Sequence, residues 1–205
     1  MNNVPTVIID YGMGNLRSVE KAVESTGGHP SISGDPEKIR NAGRLILPGV
    51  GAFGDAMENL KRKGLDEAIK LAVQDGTPLL GLCLGLQLLF TRSEEFGLHE
   101  GLDLIPGNVL KIEEPGLRVP HIGWNQIEGD IPSALLEGIP DGSYFYFVHS
   151  FYVKPENQGD VLRWTTYGHP FCSIACREKV WGAQFHPEKS QDAGKQLLRN
   201  FLSIR

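Results

Sequence analysis

A thiol set among apolar residues is the first feature of this sequence that could do chemistry: Cys83 stands between Gly81 and Gly85 in PLLGLCLGLQLLF, residues 78–90. If PLLGL is a buried strand and LGLQLLF opens a helix, Cys83 occupies the strand-to-helix turn. A residue held in so sharp a turn has strained backbone geometry, and neighbours two positions away would collide through their Cβ atoms unless they were glycine. The same turn puts the sulfur at a helix N-terminus, where unpaired N–H groups favour thiolate over thiol. The Leu84 N–H can then donate to an oxyanion formed as sulfur attacks a carbonyl. A core cysteine inside an apolar helix is the competing reading, and against it stand two glycines that would cost that helix about 2 kcal/mol relative to alanine.

Such a nucleophile needs a base, and QFHPEKS near the C-terminus offers His186. Pro187 biases His186 toward extended backbone, where residues two apart share a side, so Glu188 can hold one ring nitrogen while the other takes the thiol proton. Alone, His-Pro-Glu is a weak signal that a solvated loop would also explain. A third stretch, LPGVGAFGDAM, follows the run RLIL. Gly49 and Gly51 let the amides around Val50 turn toward a bound carbonyl, and a helix from Phe53 adds its N-terminus to the same field. Here Val50 supplies the second half of an oxyanion hole. A phosphate loop is disfavoured, since no Gly-Lys-Ser/Thr and no G-x-G-x-x-G follows the first strand; in DYGMGN, residues 10–15, the glycines serve a turn.

The elements that must carry these residues alternate through the first half: TVIID, NLRSVEKAVESTGG, RLILPG, AMENLKRKGLDEAIKLAVQDG, PLLGL. That rhythm implies βαβ units and a parallel sheet, with Gly27–Gly28 and Asp75–Gly76 ending helices. From about Val109 it changes to strand after strand (NVLKI, HIGWNQIE, SYFYFVHSFYV, DVLRWTTYG, FCSIACRE, VWGAQFHPE), so the second half should be largely antiparallel, continuing or flanking the first sheet. The chain closes on a helix, SQDAGKQLLRNFLS, that Ser190 can cap and that packs through Ala193, Leu197 and Phe201. The fold class is α/β: a mixed, mostly parallel sheet flanked by helices, with added antiparallel strands. All three chemical stretches then fall after strand ends, where open α/β sheets place their sites.

The chain has 205 residues and 40% apolar content, enough for one domain over 1–205 with a full core. Its net charge of −5 and scattered basic residues disfavour nucleic acid as a partner. No run approaches the roughly 18 apolar residues of a membrane span and MNNVPTVIID lacks a basic leader, so the expected location is the cytoplasm. Cys83, Cys172 and Cys176 are too few for a disulfide framework. In FCSIAC a period of two puts Cys172, Ile174 and Cys176 on one strand face, as core.

Taken together, GLCLGLQ, PGVG and HPE resemble the class I, triad-type glutamine amidotransferases, a flavodoxin-like fold family in which Cys, His and Glu hydrolyse the side-chain amide of glutamine. PGVGAFGDAM, HIGWN, YFVHS and QFHPEKS are similar to the family's histidine-pathway branch, and the likeness spans essentially the whole chain. Leu86 agrees, since branches serving chorismate-derived or purine acceptors often carry histidine there. The resemblance implies that Cys83 attacks the carboxamide, that His186 held by Glu188 protonates the departing ammonia, and that water then hydrolyses a γ-glutamyl thioester. It implies that Gln87 and Glu95 hold the glutamine with Gly49, Gly51, Ser150 and Phe151, the last standing where the family commonly has tyrosine. No cofactor and no metal are implied.

Ammonia released into neutral water is mostly protonated and loses its nucleophilicity, so it needs a sheltered route to an acceptor site. With all 205 residues used by the glutaminase fold, that site is expected on another chain, for which the resemblance implies a (β/α)8-barrel cyclase subunit making imidazole glycerol phosphate and an aminoimidazole carboxamide ribotide. His121, Trp124, Asn125, Tyr146 and Lys189 are its candidate contacts, aromatic anchors being suited to interface cores, although Trp124 and Tyr146 would also serve as core strand residues. Glycines on both sides of Val50 suggest a peptide that rotates when the cyclase binds its ligand. The alternatives are an amidotransferase for another acceptor, such as pyridoxal phosphate synthesis, a cysteine-elbow peptidase or stress-protein relative, and a non-catalytic binding subunit.

Overall fold

The computed structural model describes residues 5–113 and 115–204. Met1 to Val4, on which the reading of the N-terminus partly rests, lie outside the described residues with Glu114 and Arg205, as do both ends of the expected 1–205 domain. The first half runs β1 (Thr6–Ile9), α1 (Leu16–Ser25), β2 (Pro30–Ser33), α2 (Pro36–Arg40), β3 (Arg44–Gly49), α3 (Phe53–Arg62), α4 (Leu65–Gln74), β4 (Leu79–Cys83) and α5 (Leu84–Leu88). Strands follow: β5 (Phe90–Ser93), β6 (His99–Glu100), β7 (Ile105–Lys111), β8 (His121–Gln126), β9 (Tyr144–His149), β10 (Phe151–Pro155), β11 (Val161–Tyr167), β12 (His169–Arg177) and β13 (Val180–Ala183). Helix α6 (Gln191–Ser203) closes the chain.

Most strands join one sheet in the order β2-β1-β3-β4-β13-β12-β10-β7-β5-β6, with β11 beside β12. Pairing is parallel from β2 to β13 and antiparallel from β13 to β7; β7–β5 is parallel again and β5–β6 antiparallel. The central strands are apolar without alternation because both their faces are covered. Val7, Ile9, Leu45 and Leu47 pack with Ile39 of α2, Phe53, Met57 and Leu60 of α3, and Leu65 and Ile69 of α4. Ile8, Ile46, Leu80 and Leu82 pack on the other face with Val19 and Val23 of α1, Leu197 and Phe201 of α6, and Phe145 and Phe147 of β9.

Strand β13 decides where chemistry can happen. Although last in sequence it lies parallel to β4, pairing Ala183 with Leu82, while Gly49 of β3 pairs with Cys83 on the other side. The chain therefore leaves three adjacent strands at one edge of the sheet, bringing together segments about 35 and 100 residues apart in sequence.

Three local expectations are corrected. The stretch after Phe53 is two helices, not one, because Gly64 adopts φ +66 between α3 and α4. SYFYFVHSFYV does not run as one strand: Ser150 is a corner, with β9 paired to β8 in a separate two-stranded ribbon and β10 paired to β7 in the main sheet. In FCSIAC the alternation slips at Ser173, where the pairing with β11 jumps from Ile174 to Cys172. That bulge turns Cys172 toward the α2–α4 face, while Ile174 and Cys176 face the other cluster. Among the described residues, no helix is long and apolar enough to cross a membrane.

Candidate active site

Cys83 ends β4 with φ +54 and ψ −109, a backbone conformation that costs a side-chain-bearing residue about 1–3 kcal/mol. It persists because α5 is pressed hard against the strands before it. A Cβ on Gly85 would overlap the Leu47 carbonyl oxygen, and one on Gly81 would stand 2.6 Å from the Gly85 carbonyl. The glycines flanking the thiol thus avoid collisions with backbone rather than with each other's Cβ atoms, and they hold the bend tight.

His186 leaves β13 with extended backbone, φ −104 and ψ 95, and its Nδ1 lies 2.8 Å from Glu188 Oε1. The two meet by a different route from strand alternation. Pro187–Lys189 forms a 3-10 turn that curls the carboxylate back onto the ring. Cys83 and His186 line the same cavity, and the Cys83 sulfur lies 3.7 Å from the Val148 carbonyl oxygen and 3.8 Å from Gln184 Nε2. Burial alone would lower the pKa of His186, but its bonds to Cys83 and Glu188, reinforced by their charges, raise it to about 10. Ser190 does not cap α6: its hydroxyl donates to the His186 carbonyl at 2.6 Å and accepts from the Tyr146 N–H at 3.0 Å, tying this turn to the ribbon.

These groups open on a cavity of about 300 Å³. Cys83, His186, Val50, Gly51 and Leu84 line it together with Gln87, Glu95, Ser150 and Phe151, and Pro120, Val148, His149 and Lys189 complete the lining. Leu84 is the first residue of α5, and Val50 is exposed. Gly49 is buried within β3, where a Cβ would meet the Tyr11 hydroxyl and Leu84, so the freedom expected on both sides of Val50 is confined to Gly51, at φ +101. Gln87 Nε2 donates to the Phe151 carbonyl at 3.0 Å. Glu95 accepts from the Phe53 N–H at 2.7 Å; burial raises its pKa, and that bond opposes the rise. A larger hollow of about 640 Å³ lies beyond Glu95, walled by Asp55, Glu58, Lys61, Arg62 and His99, with no cysteine, serine or threonine in its lining.

Of the five residues expected at a partner interface, the structure separates two from the rest. His121 is buried, at 3% exposure, and stacks on Tyr167 and Phe147 inside the ribbon, so it does not present itself to a partner. Asn125 is half-buried, and its Nδ2 donates inward to the Thr166 carbonyl at 3.0 Å. Both lie on the ribbon face turned to the core. Trp124 and Tyr146 pair across the opposite face in an edge contact at 5.9 Å, with Lys189 5.8 Å above the Tyr146 ring and Ile122 and Tyr144 exposed beside them.

Sequence reasoning missed Tyr11, His149 and Gln184. Tyr11 is fully buried and donates to the Pro48 carbonyl at 3.0 Å, steadying the strand that leads into Val50. Gln184 Nε2 lies 3.8 Å from the Cys83 sulfur. Its position two residues before His186 in an extended run was the available signal, as the alternation Phe145, Phe147, His149 was for the buried histidine. Burial raises the pKa of Cys172 and Cys176, which leaves Cys83 as the thiol facing a cavity with a base beside it.

Residues 7–204 match the family model for glutamine amidotransferase class-I. The chain is 50% identical over 201 residues to the imidazole glycerol phosphate synthase subunit HisH of Syntrophotalea carbinolica, covering 95% of this chain and 98% of that protein. To the same subunit of Moorella thermoacetica it is 52% identical over 197 residues, with 96% and 93% covered. A crystal structure of a glutamine amidotransferase superposes with a TM-score of 0.75 at 20% identity, covering 96% of this chain and 97% of that one. The structure of PurLQS from Thermotoga maritima gives 0.75 at 18% identity over 98% of each chain. At those identities the two structures speak for the fold alone.

Proposed function

The chain belongs to the class-I glutamine amidotransferases, and from that membership we propose that it is the glutaminase subunit of an imidazole glycerol phosphate synthase, acting in histidine biosynthesis. We read it as a single glutamine amidotransferase domain, since the family match runs through 7–204 and both core clusters lie on one sheet. The observation that carries the catalytic reading is the arrangement at the strand ends: a thiol on a strained bend, an imidazole lining the same cavity, and a carboxylate 2.8 Å from that imidazole's Nδ1.

In this mechanism the Cys83 sulfur, its proton passed to His186, attacks the carboxamide carbon of glutamine. The C–O electron pair moves onto oxygen, which accepts hydrogen bonds from the Val50 and Leu84 amides. His186 returns the proton to nitrogen as the C–N bond breaks, and ammonia leaves a γ-glutamyl thioester on Cys83. Water, deprotonated by His186, attacks that thioester, and collapse expels the thiolate and glutamate. Glu188 holds the ring and stabilises its charged form throughout. Gln87, Glu95, the Gly49–Gly51 backbone and the Ser150–Phe151 backbone hold the glutamine.

The relatives are subunits of a synthase, which implies a second chain. We identify that chain as a (β/α)8-barrel cyclase that receives the ammonia, and assign its docking surface to Trp124, Tyr146 and Lys189 beside the cavity mouth. The assignment is supported by 45% exposure of Trp124 with Ile122 and Tyr144 uncovered nearby, an aromatic patch of the kind that anchors interfaces. The reading assigns the enzyme to the cytoplasm, where a reactive thiol stays reduced.

Cys83→Ala in the two-subunit complex tests the reading. Glutamine-dependent synthesis is expected to vanish while synthesis from supplied ammonium salt continues at its former rate. Equal loss of both would show that the thiol's role is structural.

A further inference from the structure

Two buried histidines on the ribbon take no part in the mechanism above. His121 Nδ1 lies 3.0 Å from His149 Nε2, His149 Nδ1 lies 2.9 Å from the Phe151 carbonyl oxygen, and Asn125 Nδ2 lies 3.3 Å from His121 Nε2. The rings are 3% and 5% exposed. His121 stacks on Tyr167 at 4.0 Å, and His149 packs at 5.1 Å against Phe171.

One end of this chain sets the direction of every bond in it. A carbonyl oxygen only accepts, so Nδ1 of His149 carries a proton. Burial lowers the pKa of His149 to about 3 and of His121 to about 4, which keeps both rings neutral and leaves His149 Nε2 a bare acceptor. His121 must then donate from Nδ1, and its own Nε2 accepts from Asn125. Donation runs one way, from Asn125 through His121 and His149 to the Phe151 carbonyl. A further proton on His149 would set two N–H groups against each other at 3.0 Å, and one on His121 would do the same against Asn125 at 3.3 Å.

The receiving end lies in the cavity wall. The same Phe151 carbonyl accepts from Gln87 Nε2 at 3.0 Å; that amide group also reaches Gln184 Oε1 at 3.3 Å, and Gln184 Nε2 lies 3.8 Å from the Cys83 sulfur. Two donors, His149 from the ribbon and Gln87 from the cavity wall, converge on one carbonyl, and Gln87 also donates the other way, through Gln184, toward the Cys83 sulfur. That carbonyl follows the Ser150 corner, where the chain passes from the ribbon to the main sheet.

We propose that His121 and His149 are positioning residues: a singly oriented imidazole pair that pins the Ser150–Phe151 backbone against Gln87 and so sets how tightly the cavity holds glutamine. Neither ring is assigned any contact with the reacting atoms. The inference rests on reading this cavity as the glutamine site.

Glutamine hydrolysis by the complex supplies the kinetic test, and nitrogen-15 NMR of the histidines in the full chain at neutral pH supplies an independent one. His149→Phe keeps the ring volume and removes the donor; its KM for glutamine should rise about tenfold or more, with a smaller change in kcat. In His149→Asn the amide Nδ2 occupies the place of Nδ1 and restores donation to Phe151, so KM should return to within about threefold of the parent value. The spectrum should show both rings protonated at Nδ1 and bare at Nε2. A parental KM in His149→Phe, or equal loss of activity in the Phe and Asn variants, would overturn the inference. So would a spectrum with His149 protonated at Nε2, a result that stands even if the Phe variant does not fold. A parent complex that hydrolyses no glutamine would instead overturn the reading of the cavity, with the spectrum still deciding the orientation of the pair.

Discussion

Cys83 and His149 face the same cavity from walls built in opposite ways. The Cys83 wall is made by the ends of β3, β4 and β13, three strands buried on both faces, with Gly81 and Gly85 letting backbone pack on backbone. The His149 wall is a two-stranded ribbon, packed on one face through Phe145 and Phe147 and open on the other at Ile122, Trp124 and Tyr144. Strain can be stored only where surroundings over-determine it, so the bent backbone of Cys83 belongs to the first wall. A docking surface cannot be sealed within its own chain, so the proposed one is placed on the second. The histidines follow the same division. His186, beside a carboxylate and a sulfur, is raised to about 10, whereas His121 and His149, among aromatic rings, are lowered to about 4 and about 3.

The largest blow to that contrast is a methyl group on the tight wall. Gly85→Ala forces its Cβ into the Leu47 carbonyl within a region that cannot give way, and should cost about 3 kcal/mol or more in denaturant unfolding. An unchanged midpoint would mean the elbow has slack. On the open wall, Trp124→Ala should leave the subunit's own unfolding midpoint within about 0.5 kcal/mol and weaken cyclase binding about thirtyfold by titration calorimetry. Lost stability with unchanged affinity would make Trp124 a core residue instead.

In the dependence of stability on pH the two walls have opposite signs. Because the folded His121–His149 pair has values below the ordinary 6.5, the unfolded chain binds more protons, so the pair's stabilisation is complete above pH 6.5 and is lost as pH falls through about 4 and about 3. His186, raised to about 10, contributes fully below 6.5 and loses its contribution as pH rises through 10. Thermal midpoints across pH should show both limbs, and His186→Gln should remove the alkaline one while sparing the acid one. Loss of both limbs in that variant would show that the walls titrate as one unit.

What could be read in advance also divides between the walls. Cys83, His186, Glu188 and the Val50 loop were accessible because strained turns, proline and glycine act locally and leave marks within a few residues of sequence. The ribbon was hidden for the converse reason. Nothing in SYFYFVHSFYV marks Ser150 as a corner, since the choice between pairing with β8 and with β7 is made by distant partners. HIGWN reads as one contact motif, whereas alternation along β8 sends His121 and Asn125 inward and Trp124 outward. The bulge at Ser173 was likewise invisible, for it depends on the register with β11.

The central claim is that Cys83 is a nucleophile for glutamine, activated by His186. It is tested most directly by exposing the complex to a diazo-ketone analogue of glutamine and mapping the modified peptide by mass spectrometry, with His186→Ala alongside. The account predicts one adduct, on Cys83, formed at least about a hundredfold more slowly in the variant. Modification of Cys172 or Cys176, or labelling of Cys83 at the same rate without the histidine, would contradict it.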